Sequence, residues 1–141
     1  MRGIRLCGSG AAVPATRVSN DALSQRVETS DEWIRSRTGI GERRVAAAEE
    51  NLTGLATAAG QQALQNAGWE ASSVDLILLA TSSPDVVFGS APKVQAALGA
   101  KHAVAFDLTA ACSGFLFALV TAAQYLRCGA MQRVLVIGAD Q

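Results

Sequence analysis

Asp107-Leu108-Thr109-Ala110-Ala111-Cys112-Ser113-Gly114-Phe115 is the stretch whose reading decides the fold. A strand pattern ends in it, a run of small residues follows, and an almost wholly apolar helix starts near Cys112 and continues to Arg127. Phe115, Leu116, Phe117, Ala118, Leu119 and Val120 leave that helix no continuous polar face, which predicts a central, buried position. A thiol in its first turn would lie among backbone amides that have no intrahelical partner, at the positive end of the helix dipole. Those are conditions that favour thiolate, the form that attacks carbonyls. Placement therefore makes Cys112 a candidate nucleophile, although the thiol taken alone reads better as one more small buried hydrophobe.

Working outward, short apolar or β-branched runs at residues 2–8, 74–80, 103–108 and 133–138 have the character of buried parallel strands. Helical signals start near Asn20, Ser30 and Thr53, and cover residues 91–98 and 112–127. The order is β, several α, then β-α-β-α-β, which predicts an α/β fold with a mostly parallel sheet, helices on both faces and right-handed crossovers. Gly68, Gly99 and Gly129 stand where a left-handed residue would end each of the three longer helices. Thr29-Ser30-Asp31-Glu32 has capping-box spacing with Thr29 as the cap. No internal repeat, linker or low-complexity segment interrupts the chain.

The 141 residues suit one compact domain, half of them hydrophobic and only 17% charged, so a large core is implied. Twelve basic residues balance twelve acidic ones, which excludes the uniform positive field of a non-specific nucleic-acid binder. The opening apolar run is too brief for a signal-peptide core, and no uninterrupted stretch is expected to reach transmembrane length. Three cysteines without a secretory segment point to a reducing cytoplasm. Cys7, in a strand pattern, and Cys128, near a helix end, are assigned to packing, and no metal-ligand spacing is present. Gly8-Ser9-Gly10 is not a dinucleotide fingerprint, because Val13 occupies the third glycine position. Arg43-Arg44 is too short for a nucleic-acid footprint, and His102, the only histidine, reads as an exposed loop residue.

Three segments carry a family resemblance: Thr29-Ser30-Asp31-Glu32-Trp33-Ile34, then Arg37-Thr38-Gly39-Ile40-Gly41-Glu42-Arg43-Arg44, and then the Cys112 stretch. In order and separation they resemble the signatures of the β-ketoacyl-acyl-carrier-protein synthase III family, and the likeness extends to the closing Val134-Leu135-Val136-Ile137-Gly138-Ala139-Asp140 run. The resemblance implies a thiolase-like fold, two similar α-β-α layered halves in one chain. Residues 1–141 would form the first half, cut before its last strand.

It further implies that Cys112 accepts an acyl group from acyl-coenzyme A (acyl-CoA), with acetyl-CoA the expected primer. Malonyl-acyl carrier protein then loses carbon dioxide and its carbanion attacks the thioester, giving a 3-ketoacyl product in the first step of fatty-acid synthesis. Acyl-CoA is a substrate here, and no cofactor or metal is implied. Thr29 and Trp33 match positions that hold the adenine of coenzyme A, and Arg37 one near its phosphates. Read without the family, Thr29 is a cap, Trp33 a core anchor and Arg37 a solvated helix-end cation.

Phe88 resembles a phenylalanine that reaches across a homodimer interface into the partner's acyl pocket, and would otherwise be an exposed loop anchor. The strand over residues 103–106 matches one that pairs with its twin across the two-fold axis. The expected protein is thus a cytoplasmic homodimeric acyltransferase with no nucleic-acid or membrane partner. The family's catalytic histidine and asparagine belong to the second half. A polyketide-type condensing enzyme and a non-catalytic coenzyme A-binding remnant are the alternatives.

Overall fold

The structure is a computed structural model and describes residues 3–141; Arg2, where the first expected strand begins, lies outside the described residues. The chain divides into two compact units, Val13–Glu50 and a larger one formed by residues 3–12 with 51–141.

In the larger unit, strands β3 (Leu76–Ala80), β4 (Val104–Leu108) and β5 (Val134–Gly138) form a parallel sheet in the order β4-β3-β5. Leu76 lies opposite both Val104 and Val134. The central strand, Leu-Ile-Leu-Leu-Ala, is buried at every position, because successive side chains point to opposite faces and helices cover both. Ile77 and Leu79 join Leu52, Ala56, Leu64, Val94, Leu135 and Ile137 in one core cluster, which takes in residues of helices α3 (Leu52–Ala67) and α4 (Ala91–Leu98). Leu76, Leu78 and Ala80 pack with Ala118 and Ala122 of helix α5 (Gly114–Cys128) on the other face. Asn51 caps α3 by accepting from the Gly54 amide at 2.8 Å. The three glycine helix ends fall where expected, each in the left-handed conformation.

Three expectations are corrected in this unit. Residues 3–8 form no strand. A strand exists only as a ladder partner, and between residues 5–10 and β5 lies a cleft of about 960 Å³ lined by both. Gly8 and Gly10 instead run against α3, where an added Cβ would come within 2.4 Å of the Ala63 carbonyl oxygen and 2.2 Å of that of Ala59. Asn66 donates to the Ser9 carbonyl, and the Ala11 amide to Gln62 Oε1.

The apolar helix, expected to be buried all round, buries one face only. Gly114, Ala118 and Ala122 are covered, while Phe115, Leu116, Phe117 and Val120 are between 46% and 66% exposed. Residues 111–128 are also long and apolar enough to cross a membrane by length and composition, contrary to the expectation that no stretch is; the small residues of α5 nevertheless pack on the sheet.

In the smaller unit, strands β1 (Thr16–Ser19) and β2 (Glu42–Val45) pair antiparallel, with helices α1 (Asn20–Ser24) and α2 (Asp31–Thr38) between them in sequence. Buried Asn20 donates to Asp31 Oδ1 at 2.8 Å and to the Ile40 carbonyl at 2.7 Å, and accepts from Arg43 at 2.7 Å, so α1, α2 and β2 meet at one satisfied amide. The cap of α2 is Ser30, whose hydroxyl accepts from the Trp33 amide at 3.1 Å, and not Thr29. The helix begins at Asp31, so the third helical amide is that of Trp33, one residue beyond the spacing assumed for a Thr29 cap.

Candidate active site

The turn between β4 and α5 is built from small residues because its backbone is tightly folded. Ala110 has φ −154° and ψ 37°, and Ala111, with φ 45°, is the only non-glycine residue with positive φ among the described residues. A non-glycine left-handed residue stores about 1–3 kcal/mol that the surrounding packing must offset. The Ser113 amide donates to the Ala110 carbonyl at 3.1 Å, closing a 3₁₀ turn at Ala111–Ser113 that carries Cys112 in front of α5. The α-helix proper starts at Gly114, where an added Cβ would stand 3.4 Å from Ala80.

Cys112 is exposed and lies on the wall of the cleft, together with Phe115, Leu119, Ala80 and Val136. An accessible thiol beside an apolar cleft suits attack on a thioester whose acyl chain needs shelter from water. Cys7 is half-buried and Cys128 exposed, its thiol donating to the Tyr125 carbonyl at 3.3 Å, so the assignment of Cys128 to packing is corrected. A helix end on an incompletely covered face leaves the thiol outside the core.

Asp140 escaped the sequence reading. Its Oδ1 accepts from the Ser82 amide at 2.6 Å, from the Thr81 hydroxyl at 3.2 Å and from the Ser83 hydroxyl at 3.3 Å, tying the end of β5 to the loop after β3. The Ser82 amide foremost, with the two hydroxyls, holds its carboxyl below the usual range against a smaller opposing effect of burial. The only signal was an acid two residues after an apolar strand. Phe88, in the same loop, is 96% exposed.

Thr29, Trp33 and Arg37 gather in the smaller unit, and Cys112 and Phe88 belong to the larger. Trp33 is 54% exposed, which rules out a core anchor, and the Arg37 guanidinium lies 4.9 Å from its ring centroid. Arg37 is thus a stacked cation. Thr29 Oγ1 is buried without a hydrogen-bond partner. His102 is exposed in the turn after α4. Among the described residues no cluster of His, Cys, Asp or Glu could hold a metal ion.

The family model for 3-oxoacyl-[acyl-carrier-protein (ACP)] synthase III matches residues 106–141, the segment that carries the Cys112 turn, α5 and β5. The β-ketoacyl-[acyl-carrier-protein] synthase III of Synechococcus sp. strain RCC307 is 79% identical over all 141 residues, and that of Nostoc sp. strain PCC 7120 is 64% identical over 138. The chain spans 42% of the length of each. Among solved structures, the 3-oxoacyl-[acyl-carrier-protein] synthase III of Aquifex aeolicus superposes with a TM-score of 0.94 at 46% identity, covering 98% of this chain and 45% of that one. The priming β-ketosynthase of the R1128 polyketide pathway superposes with a TM-score of 0.92 at 35% identity, covering 96% and 41%. Sequence and fold agree along the whole chain: it belongs to the β-ketoacyl-[acyl-carrier-protein] synthase III family and corresponds to the amino-terminal, thiolase-like portion of its members.

Proposed function

We propose that this chain supplies the acyl-accepting half of a synthase that starts fatty-acid chains. The observation that carries the reading is Cys112, exposed on a strained turn before α5 and beside an apolar cleft. Its thiolate attacks the acyl-CoA carbonyl, coenzyme A thiolate leaves, and the acyl group rests on sulfur. Malonyl-acyl carrier protein then loses carbon dioxide, its carbanion attacks the same carbonyl, and Cys112 thiolate is expelled as 3-ketoacyl-acyl carrier protein forms. Exposed Trp33 offers an indole face for the adenine and stacked Arg37 a cation for the phosphates, with Thr29, whose buried hydroxyl has no partner, in the same unit. His102, the only histidine in these 141 residues, lies in an exposed turn and is given no part in the condensation.

A homodimer in the cytoplasm is part of the proposal. Its support is the outer edge of β4, which has no strand beside it among the described residues, with Val104 51% exposed. Phe88 of one copy would line the other's acyl pocket. The polyketide starter reading draws on the likeness to the R1128 ketosynthase, which at 35% identity is weaker than the 79% to the Synechococcus synthase.

The test uses a chain of full family length that carries this sequence, incubated with radiolabelled acetyl-CoA and then with malonyl-acyl carrier protein. Label should appear on Cys112 alone and pass to ketoacyl product, and Cys112→Ser should abolish both. Acyl label on Cys7 or Cys128 in the unaltered chain would sink the assignment.

A further inference from the structure

The loop from β3 to α4 is held by a carboxylate that no part of the proposed chemistry uses. Asp107, on β4, accepts from the Ser90 amide through Oδ2 at 2.8 Å and from the Ala91 amide through Oδ1 at 2.7 Å. Ser90 is fully buried and its hydroxyl accepts from the Asp85 amide at 2.8 Å. Between them Gly89 has φ 94°, and an added Cβ would stand 3.1 Å from Asp107 Cγ, so the carboxylate occupies the place of a side chain. The Gly89 amide donates to the Val86 carbonyl at 3.1 Å, closing a turn whose corner residues Val87 and Phe88 are 95% and 96% exposed. An apolar tip so exposed is aimed by its base, and the base is Asp107. The same strand end leads through Leu108, Thr109 and Ala110 into the Cys112 turn.

We infer that Asp107 is a positioning residue for primer selection: by holding Gly89, Ser90 and Ala91 it fixes where Phe88 projects, and so how much room the acyl chain is given. The inference rests on the reading of Phe88 as an acyl-pocket wall. It goes beyond that reading by assigning the selectivity to a carboxylate that never meets the substrate.

The experiment measures kcat/KM for Cys112 acylation by acetyl-CoA and by butyryl-CoA in a chain of full family length, with thermal midpoints recorded for each variant. Phe88→Ala should raise the butyryl-to-acetyl ratio by about tenfold, the low end of what a methylene-sized change in a hydrophobic pocket is worth. Asp107→Ala and Gly89→Ala should move the ratio in the same direction. Asp107→Asn should fall between, since its amide oxygen still accepts one N–H while its NH2 opposes the other. If Phe88→Ala shifts the ratio while Asp107→Ala lowers both primers equally, Asp107 is merely structural and the inference is overturned. An unchanged ratio in Phe88→Ala overturns the pocket-wall reading and the inference with it. Where Asp107→Ala yields no folded protein, Asp107→Asn and Gly89→Ala decide, and an unmoved ratio in both counts against Asp107.

Discussion

Ala111 and Cys112 show how far a residue type discloses its own role. The cysteine could be singled out from small residues between a strand and an apolar helix, but nothing about alanine announces a φ of 45°. That angle belongs to the tight turn that carries Cys112 in front of α5, on the wall of the cleft. Ala111→Val should therefore cost more than a typical surface change, because a branched Cβ is a genuine outlier at positive φ. Its acylation rate should fall and its melting temperature drop, while Ala111→Gly should keep the melting temperature near that of the parent; a Val variant equal to the parent in both would show that the turn is not strained. Trp33 was legible only through the family, since a lone tryptophan on a short helix suits a core equally well. With half its surface exposed and Arg37 stacked on it, Trp33→Ala should raise the KM for acyl-CoA by an amount corresponding to about 1–3 kcal/mol of lost base stacking. Condensation from an already acylated Cys112 should change far less, and equal losses in both half-reactions would reduce Trp33 to a structural role. Asp107 and Asp140 were invisible as partners because the backbone amides they accept from lie in loops whose course the sequence does not state.

At the scale of elements, the parallel strands and helices α3, α4 and α5 followed from continuous apolar runs and terminating glycines, because burial on both faces leaves a strong pattern. The β1-β2 pair went unread for the opposite reason: Thr-Arg-Val-Ser and Glu-Arg-Arg-Val carry little apolar alternation, and their ladder is made by backbone. Loops after the strands are held largely by ionised carboxylates, and this gives the fold a pH dependence of definite sign. Asp140 is lowered chiefly by the Ser82 amide. Asp85 is pushed up by burial but brought lower overall by the hydroxyl and amide of Thr53, the Leu52 amide and Lys93. Asp31 is lowered by Asn20 first and then by Arg35. Each folded-state value lies below the unfolded one, so the unfolded chain binds more protons in that window. The stability these groups supply is present above about pH 4 and is lost as pH falls through the depressed values. In a chain of full family length, thermal midpoints should hold steady from neutral pH down to about pH 4 and decline below that. Asp140→Asn, which cannot ionise, should start lower and show a shallower acid limb; an identical limb in parent and variant would remove Asp140 from the account.

For the molecule as a whole, the decisive quantity is the apolar surface that these 141 residues leave uncovered. Phe115, Leu116, Phe117 and Val120 on α5 are each about half exposed or more, the cleft separates residues 5–10 from β5, and the outer edge of β4 is open among the described residues. Fully burying a large apolar side chain is worth about 1.5–3 kcal/mol, so four that are about half exposed forfeit roughly half of that each, in sum comparable to the lower end of a domain's net stability. Open strand edges add a template for pairing with other chains. Expressed by itself, the 141-residue chain should self-associate, with light scattering reporting species well above 14.6 kDa. Leu116→Glu together with Val120→Glu should raise the monomer fraction, because charge on that face opposes association without touching the buried Ala118 and Ala122. Incubated with acetyl-CoA and malonyl-acyl carrier protein, the same preparation should form no 3-ketoacyl product, although Cys112 could still take up label. A monodisperse 141-residue chain that releases ketoacyl product would show that both the uncovered helix face and the division of chemistry have been misjudged.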